Sequence, residues 1–347
     1  MKNLFREETR LGKINFSIIG CGKIGERHAR HANDIGQLNA VCDIKEDRAE
    51  KLANQYNCRY YRDIDDLLSQ EKASEVISVC TPNGLHCEHT IKSLKADKNV
   101  LCEKPMALTG SECEKMISAA ANSHKRLFIV KQNRYNPPIM ELKQMINQEI
   151  LGKIFNVQLN CFWNRNDLYY QESDWKGTKK LDGGVLYTQF SHFLDLLLWL
   201  IGDIKKLQVY RKNFLHQGMI EFEDTGVIAL EFDTGAIGTI NYTINAYQNN
   251  MEGSITVFGE YGTVKVGGQY LNIIEYQNIK NYQMKSERVL NKANEYGFYQ
   301  GSMSNHDKVY QNIIDVLHGR ETIATNAIEG MKVVRIIEHI YEKSELE

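Results

Sequence analysis

No stretch of this chain is long and apolar enough to cross a bilayer. Its densest apolar run, Phe193 to Ile201 (FLDLLLWLI), contains Asp195 and falls far short of the roughly 20 residues a span requires, so it reads as a buried helix. Charge of one sign is also missing: 42 basic residues stand against 44 acidic ones, which excludes the electrostatic footprint of a nucleic-acid or membrane-surface binder. Any anionic ligand must therefore be met by local charge. The cysteines Cys21, Cys42, Cys58, Cys80, Cys87, Cys102, Cys113 and Cys161 include no C-x-x-C pair, so they read as reduced, buried thiols. No metal is expected either. His86, Cys87 and His89 crowd together, but no carboxylate or second cysteine completes a ligand set, and His28 and His31 read as covering the outer face of the first helix. The opening MKNLFREETRLGK lacks the apolar segment of a signal peptide, and a cytoplasmic protein is expected. Internal repeats and low-complexity tracts are absent.

What is present suits two packed cores: 347 residues, 42% hydrophobic and 25% charged. From Ile14 to about Gln132 the apolar runs INFSIIG, LNAVCDI, EVISVCT, NVLCEK and RLFIVKQ alternate with helix-like segments. That alternation implies crossover units and a parallel sheet covered on both faces, an α/β domain. Asn136-Pro137-Pro138 interrupts it, because paired prolines break a continuing element; the first domain is taken as 14–136 and the second as 137–347. A helix from about Ile139 to Gln148, ended by Gly152, opens the second. KIFNVQLNCFW, GVIALEFDTGAIGTINYTI, GSITVFGEYGTVKVGG and YLNIIEYQNI then alternate with a period of two between turn residues, predicting a largely antiparallel sheet in an α+β domain. Helices over roughly 305–318 and 327–343 close the chain.

The first predicted strand ends in Gly20-Cys21-Gly22-Lys23-Ile24-Gly25, a G-x-G-x-x-G leading into a helix. Backbone without side chains turns tightly there and lets a pyrophosphate approach the free N–H groups of the helix N-terminus. Asp43, eighteen residues past Gly25 at the end of the second strand, suits adenosine ribose hydroxyls and repels a 2′-phosphate, favouring NAD over NADP; Lys45 nearby pulls the other way. The fourth strand ends in Cys80-Thr81-Pro82-Asn83 and the fifth in Cys102-Glu103-Lys104-Pro105. Ligands of open parallel sheets bind beyond the carboxyl ends of the strands, so both tetrapeptides face the glycine loop's crevice.

These residues resemble the glucose-fructose oxidoreductase, inositol dehydrogenase and MocA family of nicotinamide-dependent sugar oxidoreductases. The resemblance is carried by GCGKIG, CDI, CTPNGLH, EKP, QNRYNP, LDGGVLYTQFSHFLDLLLWLIG and EGMKVVRIIEHIYEKS, over nearly the whole chain. Within the family, FWNRNDLYYQESDWKGTKKLDGG is similar to nucleotide-sugar 3-dehydrogenases, which oxidise the C3 hydroxyl of UDP-N-acetylglucosaminuronate for surface-polysaccharide synthesis. The resemblance implies an N-terminal Rossmann domain and a C-terminal domain whose open sheet packs against another subunit, hence a homodimer or homotetramer. It also adds Ile44, His86 and Gln132 to the NAD contacts, with His86 near the nicotinamide ribose or capping the next helix.

For the chemistry, the resemblance makes Lys104 and His192 the catalytic pair. Oxidising a carbinol needs a base for the hydroxyl proton and a positive group near the growing alkoxide. Imidazole titrates near neutrality, so His192 is the preferred proton acceptor and Lys104 the charge stabiliser; which of the two is the base stays open. Many family members carry Asp four residues before the histidine, where this chain has Thr188. Thr188 and Gln189 are candidate substrate ligands, and Asp195 is placed either to steer the imidazole or to favour its own helix terminus. Arg165, Trp163, Tyr169, Tyr170, Trp175 and the lysines at 176, 179 and 180 suit an anionic nucleotide sugar, aromatic faces for sugar or uracil and cations for a diphosphate or carboxylate. The alternatives are a free-sugar or inositol dehydrogenase, and a noncatalytic NAD-binding sensor.

Overall fold

The protein is described by a computed structural model over residues 12–285, 293–295 and 300–343; most of the amino-terminal segment read for a signal peptide lies outside the described residues. Two compact units divide the chain. The first runs to Val130 and takes in His306–Met331, and the second comprises Lys131–Asn305 and the chain from Lys332.

In the first unit β1 (Asn15–Ile19), β2 (Gln37–Cys42), β3 (Arg59–Tyr61), β4 (Val76–Val79), β5 (Asn99–Cys102) and β6 (Leu127–Ile129) form one sheet in the order β3-β2-β1-β4-β5-β6. Every pair in it is parallel, and helices supply the crossovers: α1 (Lys23–Ile35), α2 (Glu46–Tyr56), α3 (Ile64–Gln70), α4 (His86–Lys95) and α5 (Gly110–Ser123). Coverage of both faces explains why β4, VISV, is buried throughout and reads as an unbroken apolar run. Strand order reverses between β1 and β4, so the loops after these two strands flank the crevice where such sheets bind ligands.

The second unit opens with α6 (Pro137–Asn147). The paired prolines that interrupt the alternation also start this helix, because its first turn needs no N–H and a φ near −65° suits it. Its sheet contains β7 (Ile154–Phe162), followed in the chain by the short helices α7 (Asp167–Gln171) and α8 (Val185–Thr188) and the apolar α9 (Ser191–Ile201). Then come β8 (Ile204–Lys212), β9 (Thr225–Phe232), β10 (Ile237–Thr243), β11 (Glu252–Gly259), β12 (Gly262–Gly267) and β13 (Ile273–Ile279), in the sheet order β13-β12-β11-β7-β10-β9-β8. All pairs are antiparallel except β7 with β10. Alternate residues are buried, as in β9, and α9 is buried almost all round, with Phe193 edge-on to Trp163 at 5.5 Å. A ribbon of β14 (Ala293–Glu295) and β15 (Gln300–Met303) completes the strands.

The chain then returns to the first unit in α10 (His306–Leu317), whose Tyr310 ring lies 5.3 Å from that of Phe16 in β1, and continues into α11 (Ala327–Glu342). Among the described residues no helix is long and apolar enough to cross a membrane. All eight cysteines are free, and all but the half-buried Cys58 are buried.

Candidate functional site

In the first unit, the ends of β1, β2, β4 and β5 carry the predicted cofactor residues. Gly20 has φ +96°, and a Cβ there would press to 2.6 Å on the Cys80 carbonyl oxygen, so only glycine lets the β1 loop pass the β4 loop. A Cβ on Gly25 would run into the Gly20 carbonyl, whereas one on Gly22 would meet nothing. Gly22 thus borders open space at the start of α1, between Cys21 and Lys23-Ile24, and the loop is a cradle that a side chain would fill. Asp43 is half-buried; its Oδ2 accepts from the Cys21 amide at 2.7 Å and its Oδ1 from the Lys45 amide at 2.8 Å. Each oxygen keeps a lone pair for a ribose hydroxyl. Ile44 beside it is 82% exposed, an apolar surface ready to cover a base. These features fit a dinucleotide.

The β4 and β5 loops are stapled together by His86. Its Nδ1 lies 2.6 Å from the Pro105 carbonyl oxygen and its Nε2 2.9 Å from that of Thr81. Burial pushes the His86 pKa down. Thr81 Oγ1 lies 3.1 Å from His89 Nδ1, and after Pro82 the buried Asn83 opens a short turn leading into α4. Glu103 is buried, and its Oε2 accepts the backbone N–H of Lys104 at 2.9 Å. Lys104 is half-buried, and its bond to Pro105 is cis. Sequence periodicity misplaced His28: it is wholly buried, not on the outer face of α1, with Nε2 2.8 Å from Glu103 Oε1.

In the second unit, Gln132 Nε2 lies 3.3 Å from His192 Nε2, both residues buried. Gly183 and Gly184, at φ +88° and +145°, lead into α8 just ahead of His192; a Cβ on Gly184 would collide with the Tyr341 hydroxyl. Asp195 is engaged by two cations. Arg134 donates to it from Nε and Nη2, each at 2.8 Å, and Lys131 Nζ lies 3.3 Å away. Burial alone would raise the Asp195 pKa, but Lys131 and Arg134 outweigh it and hold the carboxyl low.

The remaining predicted substrate residues form two groups. Thr188 donates its hydroxyl to the buried Asp182 carboxylate, whose Oδ2 also accepts the Gly177 amide at 2.7 Å. Arg165 is buried; its Nε donates to Gln189 Oε1 at 2.7 Å, its Nη1 to the Asn164 carbonyl and Asn250 Oδ1, and its Nη2 to the Gln300 carbonyl. Gln189 Nε2 in turn donates to the Tyr169 hydroxyl at 2.7 Å. Tyr170 is buried edge-on to Tyr169, and Trp175 is half-buried. The sequence reading missed Asp182 and Asn250. Asp182 had one signal, its place directly before the glycine pair; Asn250 had none.

Residues 14–131 match the sequence model of an oxidoreductase family with an NAD-binding Rossmann fold, and residues 143–346 match that of the family's C-terminal alpha/beta domain. A crystal structure of the WlbA dehydrogenase from Chromobacterium violaceum, in complex with NADH and UDP-GlcNAcA, is 33% identical, covers 95% of this chain and 93% of its own, and superposes with a TM-score of 0.86. Inositol 2-dehydrogenase of Salmonella typhimurium is 28% identical over 265 residues, 73% of this chain and 74% of the relative. A 2,7-anhydro-N-acetylneuraminate hydratase of Escherichia coli is 27% identical over 279 residues, 76% and 73% of the two chains.

Proposed function

This chain belongs to the Gfo/Idh/MocA family of NAD-dependent oxidoreductases, and on that premise we propose that it oxidises the C3 hydroxyl of a UDP-N-acetylhexosaminuronate. The observation that carries the reading is the likeness, at 33% identity over 95% of this chain, to a dehydrogenase crystallised with NADH and UDP-GlcNAcA. When bound, NAD supplies the hydride acceptor; the glycine loop, Asp43 and Ile44 hold its nucleotide. His192 takes the hydroxyl proton. Gln132, 3.3 Å from Nε2, orients the ring for that role. Lys104 stabilises the alkoxide that grows as the proton leaves.

The basic, aromatic stretch after β7 meets the anionic substrate. Lys176 sits 3.6 Å over the Tyr169 ring, while Lys179 and Lys180 are exposed. Arg165, with its guanidinium engaged by protein acceptors, acts by orienting Gln189. That engagement is also what favours the second reading, a free-sugar or inositol dehydrogenase, since it removes the strongest candidate anion ligand. The face of the second sheet that carries Tyr210, Val227, Ile237 and Tyr276 is open, and a second copy of the chain covers it in a homo-oligomer.

The test is NADH formation by the purified protein from NAD with UDP-N-acetylglucosaminuronate, N-acetylglucosamine or inositol. Turnover of the nucleotide sugar is expected, with Lys104→Met and His192→Asn each losing about a hundredfold or more while NAD binding persists. Oxidation of inositol or free sugar alone would shift the assignment to the second reading, and full activity of Lys104→Met would sink the role given to that lysine.

A further inference from the structure

Behind the Lys104 loop lies a hydrogen-bonded chain, buried wherever it meets Glu103, that the reaction as described does not use. Ser78 Oγ lies 2.9 Å from the Tyr310 hydroxyl, Tyr310 lies 2.9 Å from His28 Nδ1, and His28 Nε2 lies 2.8 Å from Glu103 Oε1. His306 adds its Nε2 to the same carboxylate oxygen at 3.4 Å. The other oxygen, Oε2, accepts the amide of Lys104. Ser78, His28, Glu103, His306 and Tyr310 are all at most 5% exposed.

The network converges on the carboxylate. His28 gives its Nε2 proton to the carboxylate, and its Nδ1 carries the network on through the Tyr310 and Ser78 hydroxyls. Burial pushes the Glu103 carboxyl up, but the hydrogen bonds from His28 and His306 outweigh it and hold its pKa well below the ordinary range, so the group stays ionised. His28, Glu103 and His306 are near enough to share a metal ion. The 2.8 Å contact argues otherwise: two ligands on a tetrahedral zinc with bonds near 2.0 Å stand roughly 3.3 Å apart, whereas this is ordinary hydrogen-bond spacing.

We infer that His28 and His306 are positioning residues for Lys104: they hold the Glu103 carboxylate, and that carboxylate fixes the backbone from which the lysine projects. The inference rests on the catalytic role proposed above for Lys104. A carboxylate pinned on both oxygens leaves its own strand end and the next amide one arrangement, which sets where the ammonium starts from. Placement errors near an ångström cost large factors in rate.

Two readouts on the full chain test it. Without substrate, amide hydrogen exchange of the peptide carrying Lys104 should quicken about tenfold in His306→Leu and in the milder Tyr310→Phe, with β1 and β2 unchanged. In turnover of UDP-N-acetylglucosaminuronate with NAD, His306→Leu should lower kcat about tenfold at constant NAD affinity, and His306→Gln, which keeps an N–H donor, should restore most of it. In a Lys104→Met background the His306→Leu loss should vanish, because a residue acting through Lys104 has nothing left to act on. Unchanged exchange at Lys104, a loss that adds to that of Lys104→Met, or a stoichiometric metal ion by elemental analysis would each overturn the proposal. If even the wild type leaves the nucleotide sugar untouched, the substrate reading fails, and the exchange measurement alone still decides the positioning role.

Discussion

Replacing Glu223 by glutamine isolates one buried charge in the second unit. Glu223 is fully buried, with Oε1 accepting from the Tyr341 hydroxyl at 2.9 Å and the Tyr242 hydroxyl at 3.1 Å, and Oε2 3.5 Å from Arg211 Nη1. Burial pushes its pKa from the ordinary 4.5 up to about 7, with Tyr341, Arg211 and Tyr242 opposing. Between those two values the unfolded chain has released the proton and the folded protein keeps it. Stability therefore falls as pH rises through that window, by about 1.4 kcal/mol per pH unit and about 3 kcal/mol in total, and stays low above it. His31 and His306 act with the opposite sign, since burial lowers them to about 3 and about 4: they cost stability as pH falls below 6.5. For that reason the wild-type curve alone is ambiguous, and the difference between Glu223→Gln and wild type is the quantity to measure. Urea unfolding from pH 4 to pH 8.5 should show the variant gaining on the wild type from about pH 4.5 and levelling off near pH 7. A difference that is flat with pH, whatever its size, refutes the reasoning, because the lost contacts of a neutral amide give a constant offset and only the ionisation gives a slope.

The glycines separate binding from folding. Gly22→Ala adds a methyl to open space, so its Tm should match the wild type while NAD affinity, read by fluorescence titration, drops about tenfold or more. Gly25→Ala drives a methyl into the Gly20 carbonyl and should cost about 1–3 kcal/mol in denaturant unfolding even without NAD. At Asp43, substitution by Ser removes the carboxylate that repels a 2′-phosphate; competition titrations should show NAD weakened and the NAD-to-NADP preference narrowed.

The geometry of the glycine loop and of Asp43 was legible because each of these residues answers a local backbone demand. Gly20 needs a positive φ, Gly22 must leave room, Gly25 must pack, and Asp43 stands at a strand end with two backbone amides in reach. These requirements are met within a few residues, or at the shared ends of neighbouring strands, and they leave spacings a reader can find. The alternation of the second unit's strands was equally plain, since a sheet with one buried face prints its period on the sequence. The parallel pairing of β7 with β10 was not, because the direction of a partner strand leaves no mark on the strand itself. Nor did anything local announce that His306–Met331 packs with the first unit.

The same distinction explains where side chains were misjudged. His28 sits on a helix whose local pattern permits an exposed histidine, yet it is buried by partners 75 and 282 residues away in the chain, Glu103 and Tyr310. Arg165 lies in a run of cations and aromatics that looks made for an anion, but two of its acceptors come from Asn250 and Gln300, 85 and 135 residues on. A polar side chain in a motif announces that it needs a partner; only the fold says whether the partner is a ligand or the protein. The E-K-P motif contains both cases in adjacent residues. Glu103 spends its carboxylate inward on histidines from α1 and α10, whereas the role proposed for the following lysine is toward a ligand. The motif's spacing is conspicuous because two neighbours must face opposite tasks, and the distant histidines are silent because any residue of the right shape on those helices would have served until a buried carboxylate required a donor.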